Sequence, residues 1–306
     1  MIAQRWARSI FKYRKAIARK EIVYFSGDAG SLKSSKPFKL CMFRSLETGS
    51  GSSKADIISL TTMESKAALI TGGARGIGRA VALDLASRGW SVAICYRTSA
   101  SAAHEVIESV KRHGTAALAF QCDVSDPSAA TAMVDNLGKQ WGRIDALINS
   151  AGPYHRIPLL EETNEGWHSM FDNNLHPIFY LSKAVVPLMK QRNWGRIICF
   201  SMSNAEQLIA QPQLTAHYIS KVGAIVLMRS LARLVAPYGI TANCIAPGYI
   251  DSGSAPKEEL QAAVKRIPAG YIGTVEETAA VVRFLVSDEA RYINGANIQI
   301  SGAWGV

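Results

Sequence analysis

The sequence contains no long uninterrupted apolar segment. No run approaches the roughly 18 apolar residues that a membrane-spanning helix requires. The apolar run at residues 22–25 is also too short to be the apolar region of a secretory signal peptide. We therefore predict a chain with no membrane partner.

The chain is poor in cysteine, and its cysteines show no paired spacing that would indicate a disulfide framework or a metal site. We therefore predict no metal ligands. Four of the five cysteines fall in apolar, strand-like runs, where reduced and buried thiols are expected, as in a reducing compartment. The five are Cys41, Cys95, Cys122, Cys199 and Cys244.

The formal net charge of +10 would suit a nucleic-acid-binding protein if basic residues were spread over the whole chain. Instead, twelve of the 34 Lys and Arg residues, but only four of the 24 Asp and Glu residues, lie within residues 1–62. The remaining 22 basic and 20 acidic residues nearly balance. Residues 63–306 thus carry no sequence-level sign of nucleic-acid binding.

Residues 1–62 are basic, poor in acids and partly rich in Ser and Gly. Three interpretations of this extension are open. It is a disordered tail, or lies upstream of a natural start at Met63; it is an organellar transit peptide; or it is a basic arm that contacts a partner. The first places the protein in the cytoplasm, and the second places it in a plastid or a mitochondrion.

From residue 66 onward, apolar runs of strand length alternate with amphipathic helical patterns. Uniformly apolar strands that alternate with helices indicate a parallel sheet covered on both faces. We predict the α/β class, with residues 63–306 forming a single doubly wound Rossmann domain around a central parallel sheet of about seven strands. The predicted strands are 67–71, 91–96, 116–122, 146–149, 196–200, 241–246 and 297–300, and the main predicted helices are 100–113, 127–141, 164–192, 224–236 and 275–287. Residues 252–273, rich in Pro and Gly, are predicted to form an irregular, mobile cap.

The segment Thr71-Gly72-Gly73-Ala74-Arg75-Gly76-Ile77-Gly78 connects the first predicted strand to a helical pattern. Such a turn directs backbone N–H groups and the positive end of a helix dipole at a pyrophosphate. Gly72 permits the tight turn, Gly76 lets the backbone approach the phosphates, and Gly78 lets helix and strand pack closely. We therefore predict a nucleotide site here, with Arg75 and Ile77 as further members of the turn.

Further motifs follow this turn in a fixed order. They are Cys122-Asp123-Val124, Asn149-Ser150-Ala151-Gly152, Asn174-Leu175, Gly195-Arg196-Ile197-Ile198, Tyr218 with Lys221, Pro247-Gly248-Tyr249-Ile250 and Tyr292-Ile293-Asn294-Gly295. Together they resemble the short-chain dehydrogenase/reductase family, and within it the 3-oxoacyl-[acyl-carrier-protein] reductase-like members. The resemblance extends from about residue 66 to residue 302.

The resemblance implies a reaction between a carbonyl and an alcohol that depends on a nicotinamide cofactor. The residues that it places around the adenosine half are Asp123, Val124, Asn149, Ala151 and Gly152. Those that it places around the nicotinamide half are Pro247, Gly248, Ile250 and Ser252, with Lys221 on the ribose.

The residues after the second strand favour NADP(H) over NAD(H). An NAD(H)-dependent enzyme of this kind usually has Asp or Glu there to bind the 2′-hydroxyl. Here the strand ends Cys95-Tyr96-Arg97, with no acid. Arg97 and Arg75 could instead bind a 2′-phosphate. We predict NADP(H), and hence reduction as the physiological direction.

The catalytic positions depart in part from the family pattern. The resemblance implies an Asn that holds a water, a Ser that orients the carbonyl, a Tyr that donates the proton, and a Lys four residues after that Tyr. Asn174 and Lys221 match this pattern. The serine position falls on Met202, which stands between Ser201 and Ser203.

The tyrosine position falls on His217, because Tyr218 is only three residues before Lys221. One residue of α-helix is about 100° of rotation, so Tyr218 is expected to point away from the usual position. Three hypotheses are open. A local distortion and the longer loop at residues 204–215 return Tyr218 and Ser203 (or Ser201) to the site; His217 donates the proton as an imidazolium; or the chain binds NADP(H) without efficient catalysis, as a sensor or a partner subunit.

We predict an NADPH-dependent reductase of a keto group on a 3-oxoacyl chain, as in fatty acid biosynthesis, or on a similar small carbonyl substrate. The acyl chain would be carried on acyl carrier protein or coenzyme A. The family resemblance implies a homodimer or homotetramer. Tyr154 and His155, which follow Gly152, are expected near the substrate opening.

Overall fold

The centre of the computed structural model, which describes residues 65–253 and 257–305, is a parallel sheet. Its strands are β1 (Ala67–Thr71), β2 (Ser91–Tyr96), β3 (Ala117–Gln121), β4 (Ala146–Asn149), β5 (Gly195–Phe200), β6 (Ile240–Pro247) and β9 (Asn297–Ile300). Two short strands, β7 (Ile250–Asp251) and β8 (Gly273–Thr274), form a separate parallel pair. The seven-stranded sheet has the order β3-β2-β1-β4-β5-β6-β9. The order reverses direction beside β1, and a crevice at the carboxyl ends of the strands is expected there.

Helices cover both faces of this sheet. Within the described residues they are α1 (Gly76–Ala86), α2 (Ala100–Lys111), α3 (Pro127–Trp141), α4 (Asn164–Asn174), α5 (His176–Arg192), α6 (Thr215–Val235), α7 (Lys257–Val264) and α8 (Val275–Leu285). Side chains of α1, α2 and α8 share one buried cluster with the strands, and side chains of α3, α5 and α6 share a second. The predicted doubly wound Rossmann fold is confirmed.

The strand β1 shows why its sequence is apolar without alternation. Ala67 and Leu69 belong to the cluster with α3, α5 and α6, whereas Ala68 and Ile70 belong to the cluster with α1, α2 and α8. Successive side chains of a strand point to opposite faces. Because both faces are covered by helices, each position must be apolar.

Two predictions from composition can be compared with the structure. The four described cysteines are free thiols, as predicted, and Cys199 Sγ on β5 lies 3.2 Å from Cys244 Sγ on β6. Cys41 and the predictions for residues 1–62 lie outside the described residues. Within the described ranges, no helix combines the length and the apolar character needed to cross a bilayer.

Three predicted elements are wrong in extent. The helix predicted at 164–192 is two helices that meet at Leu175, because Pro177, near the start of α5, has no N–H to continue the hydrogen bonds of α4. The helix predicted at 224–236 begins already at Thr215. The segment predicted to be irregular, 252–273, contains α7, whose Leu260 and Ala263 are buried at the spacing of one helix face.

Candidate active site

The glycine turn between β1 and α1 has the backbone geometry of an anion site. Gly72 and Gly76 have φ of +64° and +50°, a conformation that favours glycine. A Cβ on Gly78 would lie 2.5 Å from the carbonyl oxygen of Gly72. Arg75 precedes α1 without a side-chain capping hydrogen bond, and the first turn of α1 contains no acid. The positive end of the helix dipole therefore meets no anionic side chain of its own turn.

The turn is fastened to the loop that follows β4. The Thr71 hydroxyl oxygen accepts hydrogen bonds from the N–H groups of Ser150, at 3.1 Å, and Ala151, at 3.0 Å. A Cβ on Gly72 would lie 3.0 Å from Ala151 Cα. Because β1 and β4 are parallel neighbours, their carboxyl-terminal loops form one continuous wall.

A cavity of about 410 Å³ opens against this wall, at the carboxyl ends of β1, β2 and β4. It contains most of the residues predicted for the adenosine half of the cofactor. The predicted residues that line it are Gly72, Arg75, Arg97, Asp123, Val124, Ala151 and Gly152. The topology thus brings together residues from four separate motifs.

Arg97 and Asp123 face each other across the mouth of this cavity. Arg97 Nη1 lies 3.9 Å from Asp123 Oδ2 and 3.5 Å from Asn173 Oδ1, and the Arg97 side chain is mostly exposed. The pKa of Asp123 is lowered, mainly by the hydrogen bonds that the Ser125 hydroxyl and N–H donate to its carboxylate and further by the Arg97 charge. Asp123 is therefore an acceptor, and Arg97 supplies positive charge beside it.

The residues predicted around the nicotinamide half lie at the other side of the turn. Gly76 and Ser252 line a second cavity, of about 690 Å³, and Ile250 lines a third, of about 500 Å³. The Pro247 carbonyl accepts a hydrogen bond from Ser203 N at 3.0 Å. A Cβ on Gly248 would lie 2.9 Å from Ser301 Cα.

Two further predicted cofactor residues are held inside the protein. Asn149 at the end of β4 is buried, and its Nδ2 lies 3.4 Å from the Ile198 carbonyl oxygen. Ile77 is partly buried and packs against the cluster of α1, α2 and α8. Neither side chain lines the 410 Å³ cavity.

Lys221 and Asn174, which match the family pattern, are both buried. Lys221 Nζ donates to the Phe200 carbonyl at 2.9 Å, and burial lowers the pKa of Lys221. Asn174 Nδ2 donates to the Pro153 carbonyl at 3.1 Å and to the Met170 carbonyl at 3.0 Å. Asn174 Oδ1 has no partner in the described part of the chain.

His217 is 7% exposed and stands where the tyrosine is expected. Burial, the Lys221 charge and the His155 charge lower the pKa of His217 to about 3, and a hydrogen bond with the Pro153 carbonyl opposes this shift. Burial thus favours the neutral imidazole, and the hypothesis that His217 donates a proton as an imidazolium stays a prediction. The Tyr154 ring stands edge-on to the imidazole, with centroids 5.1 Å apart.

The Tyr218 hydroxyl contacts the loop that follows β5. It donates to the Asn204 carbonyl at 3.0 Å and accepts from Ile209 N at 3.2 Å. The ring belongs to the buried cluster of α3, α5 and α6. The longer loop is thus organised around the Tyr218 hydroxyl, whose proton is already donated to backbone.

The serines that flank Met202 are also engaged. Ser203 Oγ donates to the Trp304 carbonyl at 2.6 Å and lies 3.0 Å from Gln299 Oε1, and Gln207 in the same loop donates to the Gly305 carbonyl at 2.9 Å. Ser201 Oγ donates to Asn297 Oδ1 at 2.6 Å. Both serine side chains are buried, so the structure does not present their hydroxyls to a cavity.

The sequence analysis missed two members of this neighbourhood. The Pro153 carbonyl joins Asn174 to His217, and the side chain of Glu162, itself almost fully buried, lies 2.6 Å from His155 Nε2. Pro153 directly follows the Asn149–Gly152 motif, and this position in the sequence was the signal that could have predicted its contact. The contact between Glu162 and His155 forms only when the loop folds, and no spacing rule predicts it.

The comparisons with known proteins cover nearly all of this domain. A family model described as enoyl-(acyl carrier protein) reductase matches residues 72–304. The chain is 35% identical to the 3-oxoacyl-[acyl-carrier-protein] reductase FabG of Staphylococcus aureus over 240 residues, which is 78% of this chain and 97% of that protein. It is 36% identical to the FabG of Salmonella typhimurium over 250 residues, covering 79% and 98%. A crystal structure from Sinorhizobium meliloti, described as a short-chain alcohol dehydrogenase, superimposes with a TM-score of 0.74 at 28% identity, covering 79% of this chain and 97% of that one.

Proposed function

Because this chain belongs to the short-chain dehydrogenase/reductase family, we propose that it binds NADP(H) and reduces a keto group on a 3-oxoacyl chain or a similar small molecule. The observation that carries the proposal is the 410 Å³ cavity at the glycine turn, with Arg75 and Arg97 on its wall. The names of the relatives, 3-oxoacyl-[acyl-carrier-protein] reductases, support a 3-oxoacyl thioester as the substrate. Carrier protein or coenzyme A would hold the acyl chain.

The positive charge in this cavity supports NADP(H). Arg97 follows β2 directly, at the place where an NAD(H) enzyme usually has a carboxylate for the 2′-hydroxyl. A guanidinium binds a phosphate through charge-assisted hydrogen bonds. Asp123 Oδ2 lies 3.9 Å from Arg97 Nη1 at the cavity mouth.

In reduction, the bound cofactor would supply a hydride to the carbonyl carbon, and the chain would hold the ketone and supply a proton to its oxygen. Lys221, which is buried and donates from Nζ to the Phe200 carbonyl, would hold the ribose. Asn174 is fixed by two backbone carbonyls. His217, which stands where the tyrosine is expected, would supply the proton only after it binds a second one and becomes an imidazolium.

The hydrogen bonds of two hydroxyl groups, those of Tyr218 and Ser203, favour a second function. Tyr218 and Ser203 both donate to backbone carbonyls inside the protein. A site without a hydroxyl acid suits a protein that binds NADP(H) and reduces carbonyls slowly or not at all, as a sensor or partner subunit.

Binding and turnover together test both functions. NADPH and NADH binding is followed by nucleotide fluorescence, and turnover by NADPH oxidation with acetoacetyl-CoA and a panel of ketones. We expect R97D to weaken NADPH binding about tenfold or more and to leave NADH binding unchanged or stronger. The control R112D removes an exposed arginine directly after α2. An unchanged NADPH to NADH ratio in R97D contradicts the cofactor proposal.

The K221A variant separates enzyme from binding protein. If the chain is a reductase, K221A loses most turnover. If NADPH binds tightly and no ketone in the panel is reduced by the unmodified chain, the binding-protein function is correct.

A further inference from the structure

We propose that Cys122 and Cys95, in the wall of the 410 Å³ cavity, form a reversible disulfide when hydrogen peroxide oxidises the chain, and that this disulfide weakens cofactor binding. The two thiols are then a modification site as well as part of the packed interior. The effect on the cofactor rests on the proposed function, whereas the disulfide concerns the chain without a ligand.

The two thiols are neighbours at the carboxyl ends of β2 and β3. Both line the cavity, and both pack in the buried cluster of α3, α5 and α6, so they lie on the same face of the sheet. The Cys95 thiol donates a hydrogen bond to the Cys122 carbonyl oxygen at 3.4 Å. The Cys122 N–H donates to the Tyr96 carbonyl at 2.9 Å. Cys122 therefore continues the pairing of the two strands, with its side chain on the same face as Cys95.

The two thiols differ in exposure and in acidity. Cys95 is buried, whereas Cys122 is partly exposed. The contact with the Cys122 thiol and burial raise the pKa of Cys95. The contact with the Cys95 thiol lowers the pKa of Cys122, although burial and the Asp123 charge oppose this shift. Because the thiolate is the reactive form, Cys122 is expected to react first, and Cys95 is the thiol that then attacks it.

Hydrogen peroxide is small enough to reach Cys122 from the cavity, and it accounts for every atom of the reaction. The Cys122 sulfur attacks one peroxide oxygen, the O–O bond breaks, and the leaving hydroxide takes up the Cys122 proton as water. The Cys95 sulfur then attacks the sulfenic sulfur of Cys122, the S–O bond breaks, and the hydroxyl group leaves as water with the Cys95 proton. Two thiols are oxidised and one peroxide is reduced to two waters.

Cys199 and Cys244 form another thiol pair within the described ranges and provide an internal comparison. Their sulfurs are only 3.2 Å apart, but the two residues are 0% and 1% exposed, and neither lines the cavity. The contact with the Cys199 thiol and burial raise the pKa of Cys244. Oxidation follows thiolate character and exposure, so we expect it at Cys122 before this closer pair.

The disulfide would change the wall that faces the cofactor. The register partner of Cys95 is Phe120, so Cys122 is its diagonal neighbour, two residues further along. A disulfide fixes the separation of the two residues within narrow limits, and closing it therefore moves the backbone at Cys122 toward β2. Asp123 and Val124, which line the cavity, follow directly and would move with it.

Peptide mass spectrometry identifies the disulfide. The full chain is treated with hydrogen peroxide, with and without NADPH, its free thiols are alkylated, and it is digested with trypsin, which places Cys95 in peptide 89–97 and Cys122 in peptide 113–139. We expect these two peptides to be joined, dithiothreitol to separate them, and saturating NADPH to slow their joining about fivefold or more. Free thiols at both positions, or a disulfide confined to Cys199 and Cys244, overturns the inference.

Variants assign the roles of the two thiols. In C95S, the sulfenic acid of Cys122 lacks its partner, and we expect dimedone to label Cys122. In C122S, we expect peroxide to leave Cys95 as a free thiol and to leave NADPH affinity unchanged. C244S, which removes a thiol of the other pair, keeps the disulfide between Cys95 and Cys122. Oxidation of Cys95 in C122S at the rate of the unmodified chain overturns the assigned order.

Nucleotide fluorescence measures the effect on the cofactor. We expect the dissociation constant of NADPH to rise about tenfold in the oxidised chain and to recover with dithiothreitol. Unchanged affinity in a chain that carries the disulfide overturns the coupling. Failure of the reduced chain to bind NADPH removes the proposed function and the coupling with it, and mass spectrometry still decides whether the disulfide forms.

Discussion

At the scale of single residues, one step along α6 separates two environments. His217 reaches the Pro153 carbonyl after β4, whereas the Tyr218 hydroxyl reaches the Asn204 carbonyl after β5. The rotation of about 100° per residue explains the difference. A one-residue shift of tyrosine along the helix therefore changes which loop it supports.

Replacing Tyr218 tests this separation. In Y218F, Ile209 N loses its acceptor and Asn204 its donor, so we expect the free energy of unfolding to fall by about 1–3 kcal/mol. NADPH binding should be unchanged. Urea unfolding and nucleotide fluorescence measure the two quantities, with Y292F at an exposed position as the control. Lost turnover at unchanged stability would instead identify Tyr218 as the proton donor.

The buried imidazole of His217 makes stability depend on pH. Its pKa is about 3 in the folded chain and about 6.5 when unfolded, so between these values the unfolded chain binds more protons. The contribution of His217 is fully present above about pH 6.5 and falls by up to about 1.4 kcal/mol for each pH unit below it.

H217F lacks this dependence. We expect its free energy of unfolding to fall less steeply than that of the unmodified chain between pH 6 and pH 4.5. Urea titrations across this pH range measure how steeply the free energy of unfolding changes. H168F, which replaces an exposed histidine of α4, serves as the control. Parallel curves for H217F and the unmodified chain would mean that His217 is not buried as a neutral group.

At the scale of elements, the glycine turn depends on close backbone contact. In G78A, the new Cβ would meet the Gly72 carbonyl oxygen at 2.5 Å, and backbone cannot yield as a side chain does. We expect NADPH binding to weaken about tenfold or more, measured by fluorescence. G138A, inside α3, is the matched control, because its Cβ meets the movable end of Leu188 at 3.1 Å. Equal NADPH affinity in both variants would contradict the role of Gly78.

The elements were predictable where a pattern is local. Leu69 and Ile70 sit in an apolar run that predicts a strand covered on both faces, and β1, β2, β4 and β9 have the predicted bounds. The break at Pro177 was missed because the amphipathic pattern continues across it. The helix α7 was missed because Pro and Gly at its flanks outweighed the spacing of Leu260 and Ala263.

The candidate site was predictable in its cofactor wall and not in its polar contacts. The glycine turn and Asp123 occupy strand ends, and parallel strands bring those ends together. The charge of His217 depends instead on burial under Tyr154 and on Lys221 one turn away. Those contacts form only when loops distant in sequence meet.

At the scale of the whole molecule, exposed apolar side chains lie along α5 and α6. Ile219 and Val226 lie seven residues apart on one side of α6, and Phe179 is exposed on α5. Exposed apolar stripes of this kind commonly mark interfaces. We propose that this surface joins two copies of the chain, as a homodimer or within a homotetramer.

A single charge tests the interface. V226E places a carboxylate in the proposed contact, so we expect a shift to monomer, measured by light scattering after size exclusion. L160E, at a fully exposed leucine of the loop before α4, should leave the mass unchanged. A monomeric unmodified chain, or an unchanged V226E oligomer, would contradict this interface.

The attachment of the loop after β5 to residues 304 and 305 has a practical consequence for protein engineering. Ser203 and Gln207 both donate to carbonyls there, so these two hydrogen bonds hold the loop that carries Met202. A purification tag or fluorophore fused after residues 304 and 305 would disturb both hydrogen bonds. Labels for spectroscopy are better placed at exposed positions of α2 or α3. These helices follow β2 and β3, which lie at the opposite end of the sheet from β9.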